Sequence, residues 1–233
     1  MSDQAVVAEH PHPLVGQLSA LHHFRTYVDI AVVVVVLALT NLIAHFTTPW
    51  AGFATVPAAA VGLLILVRSR GLGWAELGLG REHWKSGAGY ALAAVAVVLS
   101  VIAIGALLPW TRPMFMNNNY ATISGALIAS MIIIPLQTVI PEELAFRGYL
   151  YRAIAGWGFD GNSPYRFNWL ALCISSLLFG IMHQRWIAGA LSGAVYCLLV
   201  CRSNKLADAV VAHGFSNAAI VFWAIAAGQY SLL

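Results

Sequence analysis

Two adjacent carboxylates and an arginine, Glu142, Glu143 and Arg147, stand in a stretch from Ile123 to Gly156 that otherwise reads as membrane helix. A charge near the centre of a bilayer costs about 2–3 kcal/mol even on lenient insertion scales, so such residues face a partner or a wet cavity. Neighbouring helical residues point about 100° apart, so the two carboxylates cannot play the same part. Glu143 and Arg147 are spaced i, i+4 with the acid first, the order that favours an ion pair. Glu142 is then aimed elsewhere. Pro141 lacks a backbone donor and crowds the carbonyl of Gln137, which predicts a kink just before the carboxylates. With Pro135 upstream, the segment is expected to be bent and locally hydrated.

Two further apolar stretches carry matching polar groups. His183 closes Phe179-Gly180-Ile181-Met182-His183, and His213 and Asn217 share a helical face in His213-Gly214-Phe215-Ser216-Asn217. The set suits hydrolysis of an amide. A buried carboxylate can take a proton from water and later return it to the leaving amine, with His183 orienting that water. His213 and the Asn217 amide can donate to the oxyanion of a tetrahedral intermediate, where one lost donor costs roughly 3–4 kcal/mol. Zinc held by His183, His213 and a carboxylate, with a position left for water, is the alternative. No HExxH is present, and the residues leave both readings open. A purely structural role, with Glu143–Arg147 as a bridge and Glu142 satisfied by a neighbour, is weakened by the supply of matching groups from three segments.

Glu142-Glu143-x-x-x-Arg147, Phe179-x-x-x-His183 and His213-x-x-x-Asn217, in this order, resemble the three signature motifs of the CAAX protease and bacteriocin-processing (CPBP, or Abi) family of intramembrane proteases. Trp74-Ala75-Glu76-Leu77-Gly78-Leu79 resembles the short segment that often precedes that family's core, so the likeness covers about residues 74–220. The resemblance implies a helical membrane peptidase. Glu142 would activate water with help from His183, His213 and Asn217 would form the oxyanion side, and Glu143 and Arg147 would hold the site together. Members are described both as metalloproteases and as metal-free glutamate proteases, so zinc and a metal-free site are both expectations. Relatives act on prenylated CAAX proteins, or in peptide maturation, bacteriocin immunity and the regulation of membrane partners.

The rest of the chain must position these groups in a bilayer. It has 233 residues, 60% hydrophobic and only 9% charged, against roughly 25% charged in soluble domains. This is an all-α polytopic membrane protein by composition. The net charge of +3 is too small to argue for nucleic acid. Residues 1–28 read as a polar tail, with room for a short interfacial helix from Leu14 to Tyr27, and 29–233 as one transmembrane domain. No removable signal peptide is read at the start. Apolar runs at about 29–46, 50–67, 87–109, 123–155, 167–184, 186–201 and 206–228 give seven candidate spans, since a crossing takes about 20 residues. The site is expected between the fourth, fifth and last of them.

Basic residues are retained on the cytoplasmic side. A cytoplasmic amino terminus puts Arg25, Arg68, Arg70, Arg81, Lys85, Arg152, Arg166, Arg202 and Lys205 inside and only Arg112 and Arg185 outside. The cell membrane is the expected location. A full-length fifth span would carry His183 near its outer end, far from Glu142 and His213. The fifth and sixth runs are therefore expected to be a deeper helix and a partly re-entrant segment.

Other features are read as structural. Cys173, Cys197 and Cys201 fall in apolar runs without metal or disulfide spacing. His10, His12, His22 and His23 lie beside no acidic cluster and read as solvated tail. Gly189-x-x-x-Gly193 reads as an internal packing stripe, with a dimer face as the other option. No repeat or inverted pair of broken helices supports a proton- or ion-coupled carrier. The expected partners are the bilayer, a peptide or protein substrate in or at it, and a membrane-protein partner. A non-catalytic scaffold or immunity protein on the same fold is the competing function.

Overall fold

The computed structural model describes residues 13–46, 49–84, 88–115, 138–156, 165–183 and 185–229, and every regular element among them is helical. In order these are α1 (Pro13–Phe46), α2 (Pro49–Ser69), a 3₁₀ turn (Arg81–His83), α3 (Ala88–Leu107), the short α4 (Arg112–Phe115), α5 (138–154), α6 (Trp169–Ile181), α7 (Trp186–Ser203) and α8 (Leu206–Ala226). Each of the seven apolar runs contains helix. Among the described residues four stretches are long and apolar enough to cross a membrane: Phe24–Ile43, Gly89–Leu107, Trp186–Ser203 and Leu206–Ala226. Ala54–Ser69 and Trp169–Ile181 are shorter, and the first half of the fourth run, with Pro135, lies outside the described residues, as do His10 and His12. α1 runs unbroken from Pro13 to Phe46, so Leu14–Tyr27 and the first apolar stretch belong to one helix.

α6 has 13 residues, a length of about 20 Å at 1.5 Å per residue. That is short of the roughly 30 Å hydrocarbon core. α7, with 18 residues, is long enough to cross, and nothing in its length calls for a re-entrant segment.

α6 and α7 form an antiparallel pair whose closeness depends on small residues, as expected where lipid removes the hydrophobic drive between helices. A Cβ on Gly180 would collide with the Trp186 carbonyl oxygen, and one on Gly189 would stand 3.1 Å from Gly180 Cα. The Gly189-x-x-x-Gly193 stripe is therefore internal.

The connection after α2 holds the start of α8. The first N–H groups of a helix have no partner within it. Here Leu206 N donates to the Leu77 carbonyl at 3.3 Å and Ala207 N to the Gly78 carbonyl at 3.1 Å. Gly78 has φ +69°, and a Cβ there would lie 2.7 Å from Lys205 Cα, so the contact requires glycine. Arg152, buried at the end of α5, donates from Nη2 to the Glu76 carbonyl at 2.9 Å. One connection thus fixes the ends of two site-bearing helices.

α5 is not a uniform α-helix. It is α-helical to residue 143, a π-helix over Leu144–Leu150, and α-helical again at Tyr151–Ile154. The kink expected where Pro141 crowds the Gln137 carbonyl borders on residues outside those described, and a separate irregularity follows the carboxylates. Pro141 sits in the first turn of the described part of the helix. The widened turn is supported from outside, because the Phe146 carbonyl accepts both from Tyr151 N–H and from the Ser175 hydroxyl at 3.0 Å. Such turns concentrate at functional sites.

Candidate active site

Glu143 is the hub. Its side chain is fully buried, and Oε1 accepts from Arg147 Nη1 at 2.9 Å and from His213 Nδ1 at 2.9 Å. Arg147, also buried, extends Nη2 to the Gly193 carbonyl at 2.9 Å. Its guanidinium carbon lies 4.4 Å from the Phe179 ring centroid and 5.4 Å from that of Tyr196. A buried ion pair is sustained only if its remaining groups also find partners. Here a carbonyl, an imidazole and two aromatic faces supply part of them, while Glu143 Oε2 and Arg147 Nε are buried without a hydrogen bond among the described residues. Gly193 permits this approach, since a Cβ there would meet Phe179 Cδ1 at 3.1 Å and Arg147 Nη2 at 3.2 Å.

The two imidazoles are each fixed on one side. His183 Nδ1 lies 2.7 Å from the Phe179 carbonyl, and His213 Nδ1 lies 2.9 Å from the Glu143 carboxylate. Both partners only accept, so each Nδ1 carries the hydrogen, and in the neutral ring each Nε2 presents its lone pair. The Tyr196 ring stacks on His213 at 4.9 Å and 23°, and Phe179 lies 4.5 Å from His183 and 5.6 Å from His213 between ring centroids. The rings can turn little without losing these contacts.

Both Nε2 atoms face Glu142. Its Oε2 stands 3.8 Å from His213 Nε2 and 4.0 Å from His183 Nε2. It is a buried oxygen with no hydrogen bond among the described residues. These separations exceed the 2.7–3.2 Å of a direct hydrogen bond, and suit groups joined through one small molecule. The Glu142 side chain is 20% exposed and that of His183 36%, against 4% for His213, so the cluster is reached from the Glu142–His183 side. Asn217 lies one turn beyond His213 on α8, half-buried and engaged by a partner.

Two imidazoles and a carboxylate are a chemically suitable donor set for zinc. Tetrahedral bonds of about 2.0–2.1 Å put ligand atoms roughly 3.4 Å apart, closer than the gaps here. Among the described residues no three His, Cys, Asp or Glu side chains stand where they could hold one ion. No step below runs through a metal.

Glu142, Glu143, Arg147, His183 and His213 therefore come together from α5, the end of α6 and α8, with Asn217 on the adjoining turn. Sequence reading missed Tyr196 and the Gly193 carbonyl. A tyrosine in an apolar run was a weak signal for the first, and a backbone acceptor leaves no signal at all. Of the cysteines, Cys197 is buried and the Cys201 sulfur lies 3.1 Å from the Tyr151 hydroxyl.

Residues 124–219 match the family model described as type II CAAX prenyl endopeptidase Rce1-like. The match contains all three motifs, and the segment is Rce1-like, of the CPBP family. It begins after Trp74–Leu79, so that part of the likeness lies outside it. No curated protein and no solved structure matches the chain. With four helices of membrane-crossing length among the described residues, the chain is an integral membrane protein, and its segment 124–219 is similar to CAAX-type endopeptidases.

Proposed function

We propose that this Rce1-like chain is an intramembrane endopeptidase that hydrolyses a peptide bond in a membrane-associated or lipidated protein or peptide, with water activated by Glu142. The observation that carries the reading is the convergence of Glu142 Oε2 on two Nε2 atoms, at 3.8 and 4.0 Å, each imidazole being fixed through its other nitrogen. A water bridging Glu142 and His183 gives its proton to Oε2 while its oxygen attacks the substrate carbonyl carbon. On collapse the C–N bond breaks, and Glu142 returns the proton to the departing amine. His213 donates to the oxyanion only when Nε2 carries a proton, and Asn217 extends that side. Glu143 and Arg147 hold His213 and the π-turn in register.

Contacts among Asp29, Arg70 and Tyr149, and among Glu76, Gly78, Arg152 and Lys205, gather basic residues at one end of the bundle. With that end cytoplasmic, Glu142 lies on the order of 15 Å within, counting ten residues at 1.5 Å each. This is near the middle of a hydrocarbon core of roughly 30 Å. It suits a substrate whose lipid enters laterally while its peptide comes from the cytoplasmic face.

The test is cleavage of a panel of prenylated and unlipidated C-terminal peptides by the wild type and by Glu142→Gln. The variant is expected to lose about 10²–10⁴-fold in rate, the usual contribution of a general base, and to stay folded. A scaffold would keep its binding and its effect on its partner in Glu142→Gln, and that result overturns the reading. Elemental analysis alongside is expected to find less than one zinc per chain and cleavage that survives a chelator. Stoichiometric zinc lost in His183→Ala with His213→Ala would instead make Glu142 the base of a metallopeptidase.

A further inference from the structure

We propose that α1, which lies outside the residues matched by the family model, is a positioning element of the site, acting through Asp29 on the π-turn and Asn41 on the segment that carries His183. The inference rests on the endopeptidase reading. Asp29 is 5% exposed, and its Oδ2 accepts from the Tyr149 hydroxyl at 2.7 Å and pairs with Arg70 from the end of α2. Tyr149 is fully buried, two residues after Arg147 in the π-helix. Arg147 is held towards Phe179, Tyr196 and Gly193, and Tyr149 towards α1, so the widened turn is gripped by two separate groups of helices.

The second contact lies twelve residues further along α1, about 18 Å at 1.5 Å per residue. The Asn41 amide donates to the Met182 carbonyl. Met182 is the residue that ends α6, and the final carbonyls of a helix have no acceptor role within it. In hydrocarbon an unsatisfied carbonyl costs several kcal/mol, so a donor reaching over from another helix is a specific device. His183 is the next residue, with its N–H bonded to the Gly180 carbonyl and its Nδ1 to that of Phe179. Fixing Met182 therefore fixes the backbone from which His183 faces Glu142.

The experiment combines kinetics with imidazole nitrogen resonances of histidine-labelled full-length protein in wild type, Asn41→Leu and Tyr149→Phe, the latter removing a single hydroxyl. Asn41→Leu is expected to move the His183 signals and leave those of His213 in place. Tyr149→Phe is expected to move those of His213. Each lowers kcat about tenfold with KM within twofold, and Asn41→Gln, which keeps a donor, recovers part of the loss. Unchanged imidazole signals or an unchanged kcat in both variants, with the protein folded, overturns the proposal. If the wild type cleaves no peptide, the endopeptidase reading fails by itself, and the resonances alone decide whether α1 positions the histidines.

Discussion

The two halves of the molecule use different means of holding together. From α5 onward, glycines bring helices into contact, and the polar groups in that contact are interlocked: Glu143 with Arg147 and His213, Arg147 with the Gly193 carbonyl, Phe146 with Ser175. α1 and α2 pack on each other, expose apolar faces such as Val32, Val35, Leu39, Val61 and Ile65, and reach the site through a few polar atoms. The lesson is that in lipid, precision comes from close backbones and satisfied polar atoms, and apolar area alone supplies little of it. One half is built to that rule, and the other is anchored to it at isolated points.

The contrast can be broken most sharply at its centre. Glu142→Gln should remove about 10²–10⁴-fold of the cleavage rate without lowering thermal stability, because Glu142 Oε2 makes no hydrogen bond among the described residues that the substitution would lose. Arg147→Ala should do the reverse in stability. It leaves the Glu143 carboxylate buried and short of a cation, and removing one partner of a buried pair costs about 3–5 kcal/mol, readable as a large fall in melting temperature in detergent.

The same small substitution in each half sharpens the comparison. Gly193→Ala forces Phe179 or Arg147 aside and should cost about 1–3 kcal/mol by overpacking, together with activity, since Arg147 must shift. Gly62→Ala in α2 meets nothing within 4 Å. It should be neutral or stabilise by roughly 0.5–1 kcal/mol, the helical preference of alanine over glycine. Melting curves of the two variants side by side check this, and equal losses would erase the distinction between the halves.

Local and patterned features were legible in the sequence. The i, i+4 spacing of Glu143 and Arg147 implied their ion pair, and three motifs on three apolar stretches implied that Glu142, His183 and His213 would meet. The stripe Gly189-x-x-x-Gly193 read correctly as internal. What escaped is what composition does not encode. The π-turn over Leu144–Leu150 has no residue signature. The Gly193 carbonyl is backbone. Asp29 and Asn41 find partners 120 and 141 residues away, and no spacing rule reaches that far. The chemistry called for a fifth run placed deeper than a full span, and the 13-residue length of α6 was not legible in its apolar run.

The central claim is that Glu142 and His183 act on one water as a unit. Residues that act as a unit are strongly non-additive when removed. The most direct measurement is the single-turnover cleavage rate of Glu142→Gln, His183→Ala and the double variant on a prenylated peptide that the wild type cuts. The account expects the double variant to be no slower than Glu142→Gln alone, within about threefold. A double variant slowed by the product of the two single losses would show that the residues work independently, and would contradict it.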